Sequence, residues 1–166
     1  MCIRDSPWAW LNKLESEMNS EGRDVVTLLI ENYVEADHLK ELFDDVGLSD
    51  WMYIHEVNTE WPTLIELINM DKRLVVFWEQ SSDSSHPYFH DFLTHSWTTN
   101  YADDDTSSMD CETLRGDSNQ PVFHMNNWLK NQAGLSDPNR ASEANDVDFM
   151  VERALELSLI HISEPT

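Results

Sequence analysis

Three apolar runs in this chain stop abruptly at side chains that can do chemistry. The run at 25–30 ends in Glu31 and Asn32, the run at 74–78 in Glu79 and Gln80, and the run at 121–125 in Asn126 and Asn127. A carboxylate held at a strand end can bind a divalent cation through oxygen or orient a catalytic histidine. Glu31 is therefore the first candidate, and the one metal candidate; Glu79 is the second, and Asn32 and Asn127 complete the set. His86, His90 and His95 fall in the polar segment after Glu79. Their spacing matches no known ligand motif, so they read as exposed loop residues, with His90, inside Tyr88-Phe89-His90, kept as a substrate-side contact. Asp103-Asp104-Asp105 lacks the Gly and distal Glu of an EF-hand loop and reads as a solvated acidic run. No Gly-x-Ser-x-Gly occurs and Cys111 has no evident His partner, so no nucleophilic triad is supported. Trp51, Trp61, Trp78, Trp97 and Trp128 read as core or rim packing.

Such ends need strands to deliver them. The run at 25–30 is nearly continuous and rich in β-branched residues, as is the run at 74–78; both fit strands buried on two faces of a parallel sheet. Residues 51–55 and 121–125 read as shorter strands. Helices lie between them. Trp10, Leu11, Leu14 and Met18 share one helical face, which Gly22 ends. Leu39, Leu42, Phe43 and Val46 recur at i, i+3, i+4 and i+7, with Asp37 able to cap the start and Gly47 the end. Thr63 and Glu66 form a capping box. Ser142 opens a last helix, with Val147, Met150, Val151 and Ala154 on one face. The stretch at 80–120 reads as a long polar loop, functional or partly disordered.

Helices alternating with apolar strands predict an α/β fold with parallel strands. In a (β/α) barrel the active site gathers at the C-terminal strand ends, where Glu31, Asn32, Glu79 and Asn127 would converge. A complete barrel takes about 250 residues, so the prediction is an incomplete TIM-type barrel with roughly half its strands elsewhere. The alternative, an open doubly wound sheet, would carry a glycine-rich phosphate loop after a strand, and none is present.

The formal charge is −22. A surface so acidic repels nucleic acid and anionic membranes, so neither is an expected partner. No apolar run is long enough to span a membrane. One cysteine outside the first residues, Cys111, does not set the redox compartment. The two ends carry a separate signal. Met1-Cys2-Ile3-Arg4-Asp5-Ser6 and Leu157-Ser158-Leu159-Ile160-His161 can be one DNA element read from opposite strands, an inverted repeat resembling a sequencing-library transposon adapter. Residues 1–6 and 157–166 are accordingly expected to be a scar, and residues 7–156 the domain.

The strands resemble a family. Asp24-Val25-Val26-Thr27-Leu28-Leu29-Ile30-Glu31-Asn32-Tyr33-Val34 is similar to the mid-barrel strand of phospholipase C-like phosphodiesterases specific for phosphatidylinositol. Trp61-Pro62-Thr63-Leu64, followed by Lys72-Arg73-Leu74-Val75-Val76-Phe77, resembles the next helix and strand. Cys111, Arg115-Gly116, Pro121-Val122-Phe123 and Asn126-Asn127-Trp128 resemble the late strand, where the family commonly reads Leu-Asn-His-Trp; Asn127 departs from that His. Ala141, Asn145 and Arg153 fit the helix that follows.

The resemblance implies a TIM-type barrel that cleaves phosphodiesters of phosphoinositides or related lipids. In this family one histidine acts as general base and a second as general acid, and an Arg or a calcium ion stabilises the phosphate charge. Both histidines belong to early strands, upstream of Pro7, so the chain alone is expected to be inactive. Glu31 matches the position that binds calcium in metal-dependent relatives. Two rivals remain: a noncatalytic barrel that binds a cation or partner, whose early strands would lack paired histidines, and a glycerophosphodiester phosphodiesterase, which would carry paired metal-binding carboxylates early in the chain.

Overall fold

A computed structural model describes residues 7–20, 23–31, 33–79, 85–101 and 103–162. Asn32 and Gln80 lie outside the described residues, as does Gly22. The chain divides into two compact units, with the boundary between Phe92 and Leu93.

Unit 1 contains α1 (Pro7–Asn19), β1 (Val26–Ile30), α2 (Ala36–Asp45), α3 (Leu64–Asn69), β2 (Leu74–Trp78) and β3 (Phe89–Asp91). The strands form a parallel sheet in the order β1-β2-β3. Side chains alternate across a strand, and in this sheet the two faces differ. Val26, Leu28, Ile30, Leu74, Val76, Trp78 and Phe89 pack with Leu11 and Met18 of α1, Leu39 and Phe43 of α2, and Val46 and Leu48 beyond it. Helix α2 ends in a Schellman motif: the Leu48 amide donates to the Phe43 carbonyl (2.9 Å) and the Gly47 amide to that of Asp44 (3.0 Å). That closure needs Gly47 in the left-handed region, at φ +77°, and it turns Leu48 into the core, where it is fully buried. Asp37 makes no cap; Glu35 precedes the helix without a side-chain bond. The capping box at Thr63 and Glu66 forms as the sequence predicts.

β2 is buried along its whole length. β1 is not: Thr27 and Leu29 are exposed while Val26, Leu28 and Ile30 are partly buried. The expectation of burial on both faces fails there because β1 is an edge strand, bonded on one side to β2. Nor is 51–55 a strand. A 3-10 turn spans Ser49–Trp51, followed by one parallel bridge, Met52 to Leu74. Val76, Phe77 and Trp78 are paired to β3 on that edge of β2, so a strand at 51–55 has only its lower end to pair with.

Unit 2 follows directly through the short helix α4 (Phe92–His95), which straddles the boundary. It contains β4 (Ser96–Thr99), β5 (Thr113–Gly116), β6 (Val122–His124), α5 (Ala141–Ala144) and α6 (Val147–Ile162). Its sheet has the order β5-β4-β6, antiparallel between β4 and β5 and parallel between β4 and β6. The expected loop at 80–120 thus contains β3, β4 and β5, and the strands are not all parallel. No closed barrel forms among the described residues. Gly116 sits at φ +84°, and a Cβ there would lie 2.3 Å from the Ser96 carbonyl oxygen, so only glycine lets β5 approach β4 this closely.

Ser142 lies inside α5 and does not open the last helix. Asp146 does, its Oδ1 accepting the Phe149 amide at 3.1 Å. The predicted face is also rotated: Val147 and Val151 are exposed, whereas Arg153 and Leu157 are buried. The helix continues through Ile162, into the residues the sequence reading set aside.

Candidate functional site

The strand ends of unit 1 make a rim. In the register of β1 and β2, Ile30 pairs with Trp78, and the Glu79 amide donates to the Ile30 carbonyl at 3.1 Å. Glu31 and Glu79 therefore follow the last paired residues at the same level of two adjacent parallel strands. Parallel partners in register share a face, so the two carboxylates are neighbours at the C-terminal edge. Both are exposed. Along this face of the sheet lie the exposed Thr27 and Leu29 of β1 and the buried Val75 and Phe77 of β2. Sequence reasoning missed a third acid, Asp91, which ends β3 paired with Trp78 and by the same rule takes the sheet face opposite Glu31 and Glu79. The strand that carries it is three residues long and set in a polar stretch, which gives no periodic signal.

The histidines are not exposed loop residues: His90 lies in β3 and His95 in α4, and His86, in the loop before β3, is buried as they are. His90 lies in β3 opposite Phe77 and is 2% exposed. Its Nε2 lies 3.1 Å from the Tyr53 carbonyl oxygen, which fixes that nitrogen as the N–H donor. The rings of Phe77, Tyr53 and Trp61 surround it at 5.7–6.4 Å. His86 Nε2 meets Asp37 Oδ1 at 3.0 Å and links β3's approach to the start of α2. His55 is buried and stacked on Trp61, with centroids 3.8 Å apart. Burial pushes its pKa below the ordinary value, so it is neutral at pH 7.

Asn127 belongs to unit 2. Its Nδ2 donates to the Ala144 carbonyl and to Asn145 Oδ1, and its Oδ1 accepts from Arg153 at 2.9 Å. Arg153 is 3% exposed and also donates to the carbonyls of Asn126 (3.0 Å) and Asp110 (3.1 Å). Asn127 thus joins the β6 end to α5 and α6. The acidic run is also divided. Asp103 is buried and accepts from Asn100 Nδ2 at 2.9 Å; burial, then the charge of Asp110, pushes its pKa up. Asp104 pairs with Lys130 at 3.2 Å. Asp105 caps the 3-10 turn Thr106–Ser108. Burial raises the Cys111 thiol pKa, so it is no activated nucleophile.

Calcium takes six to eight oxygen ligands. Among the described residues no group of three or more His, Cys, Asp or Glu side chains is placed to hold a metal. Glu31 offers part of such a set and not the whole, so the residues present do not by themselves fit the ion. No helix among the described residues is long and apolar enough to cross a membrane.

A parallel sheet with helices packed on one face and acidic side chains following its strands makes unit 1 an α/β unit. The PI-PLC X 1 family model matches residues 6–154, and the chain belongs to that family. It is 30% identical over 145 residues to PI-PLC X domain-containing protein 1 of Arthroderma benhamiae, covering 80% of this chain and 47% of that protein. It is also 30% identical over 104 residues to an uncharacterized secreted protein of the same fungus, covering 58% of this chain and 24% of that one. The chain thus spans about half the length of the first relative and a quarter of the second. No solved structure matches.

Proposed function

We propose that this chain is the later part of a TIM-type barrel in a phosphodiesterase resembling phosphatidylinositol-specific phospholipase C. In this reading the proton-transferring histidine pair stands on strands upstream of Pro7. Glu31 and Glu79 line the substrate rim. The observation that supports it best is the shared level of Glu31 and Glu79, bridged by the Glu79 amide on the Ile30 carbonyl. A second support is the outer strand β1: Leu29 is 38% exposed on the face that carries Val75 and Phe77. Preceding barrel strands would bond to the open edge of β1 and cover that face. Phosphodiester cleavage through a neighbouring hydroxyl needs one group to take a proton and another to give one. The buried, neutral His55 and the carbonyl-bonded His90 are not placed for either task. Substrate-side calcium would draw Glu31 as one ligand, the rest coming from substrate, water or upstream residues.

The test is cleavage of phosphatidylinositol by the chain alone and by the chain joined to its upstream sequence. The expected result is no turnover above buffer for the first and turnover for the second. Turnover by the chain alone would refute the assignment of the acid and base to upstream strands. An upstream sequence without paired histidines would favour the noncatalytic alternative.

A further inference from the structure

Unit 1 also holds an open concavity of about 480 Å³, within the range of small-molecule sites. Tyr53, Trp61, Pro62 and Met70 line it together with Glu60 and Glu66. The rings of Tyr53 and Trp61 are 6.1 Å apart and inclined at 49°, so together they present two π surfaces at an angle. Trp61 is held by its stack on His55, and the neutral imidazole places no positive charge behind the indole. The Glu66 carboxylate is fixed through Oε2, which accepts from the Thr63 amide (2.8 Å) and hydroxyl (2.7 Å). Those bonds lower its pKa, so it is ionised at pH 7. Desolvation, then the charges of Glu56 and Glu66, raises the Tyr53 pKa and keeps the phenol neutral. No lining residue is basic.

Aromatic faces beside ionised carboxylates, with no competing cation, attract an organic cation. The acceptors narrow the class further. Two carboxylates and the Asn69 side-chain oxygen accept N–H donors, and a primary ammonium offers three where a quaternary one offers none. Pro62 and Met70 supply apolar surface for a carbon chain. We propose that this concavity binds the protonated primary amine of an alkylammonium group, its nitrogen against the Tyr53 and Trp61 rings and beside the Glu60 and Glu66 carboxylates. The group can come from a free amine or from a lysine side chain on another protein. The proposal does not depend on turnover.

Calorimetry and ligand-observed NMR on the whole chain test it with n-butylammonium, with n-butanol as the neutral isostere, and with tetramethylammonium. Butylammonium is expected to saturate, and the other two to bind at least about tenfold more weakly. Glu60→Gln removes an exposed charge, so it should weaken butylammonium by up to about fivefold and leave the unfolding midpoint in place. A lysine-bearing peptide that binds tenfold tighter than butylammonium assigns the group to a protein; equal binding assigns it to a free amine. The proposal fails if butanol binds as well as butylammonium, if Glu60→Gln changes nothing, or if the folded chain shows no saturable binding.

Discussion

Among the described residues, those with no exposure are Phe43, Leu48, Leu74, Val76 and Phe89 in unit 1, and Ser96, Thr98, Thr99 and Leu157 in unit 2. The first unit is closed by apolar contact between helices and one sheet face. In the second, Met109, Leu129 and Ala144 form a small cluster with Phe149. Beside it Arg153 joins the carbonyls of Asp110 and Asn126 to the side chain of Asn127 by hydrogen bonds. Apolar burial is non-directional and tolerates small shifts. A buried guanidinium is not tolerant, because each acceptor it leaves unbonded costs free energy. The two units should therefore fail in different ways when a single side chain is changed.

The largest effect is expected in unit 1. Phe43 is fully buried and meets Phe89 edge to face at 5.9 Å. Phe43→Ala removes that ring and leaves a cavity, for a loss of about 4 kcal/mol. Urea unfolding checks it. Phe43→Leu, which keeps most of the volume, should recover more than half of the loss. If Leu recovers nothing, shape rather than burial governs this core, and the contrast with unit 2 weakens.

Arg153→Leu comes next, at about 3 kcal/mol. Leucine keeps the apolar stem but leaves two backbone carbonyls and the Asn127 side chain without their donor. Arg153→Lys should recover little, because one ammonium cannot reach three acceptors placed for a planar fork. Full recovery by Lys would show that charge, not geometry, holds α6 to the β6 end.

The same contrast explains what could be read from the residues alone. The apolar periodicity of α2, the turn at Gly47, the capping box at Thr63 and the runs that became β1 and β2 were legible because each rests on a local rule. Glu31 and Glu79 followed from those runs. The strand β4 was hidden because Ser96, Trp97, Thr98 and Thr99 do not look apolar, although all four are buried. β3 was hidden by its length. The burial of His86, His90 and His95 depends on partners distant in sequence, such as Asp37 and Tyr53. Arg153 read as one family position among several, yet it organises unit 2, since nothing local announces that three acceptors will meet it.

The smallest expected effect is a pair of opposite pH dependences. His55 in unit 1 has its pKa lowered by burial. The unfolded chain then binds a proton more readily than the folded one, so stability present above about pH 6.5 is lost as pH falls through the folded pKa. Asp103 in unit 2 has its pKa raised, first by burial and then by Asp110. Its folded form holds the proton more tightly, so its contribution is fully present below about pH 3.9 and is lost as pH rises through the raised value. His55→Phe keeps a ring on Trp61 and should remove the first dependence, flattening the unfolding midpoint between pH 7 and 5. Asp103→Asn keeps an oxygen for Asn100 and should raise the midpoint at pH 7 while having least effect near pH 3. If both variants change the slope of the midpoint against pH with the same sign, the two buried groups do not titrate as their surroundings imply. The distinction between an aromatic interior that excludes a proton and a polar one that retains it would then be lost.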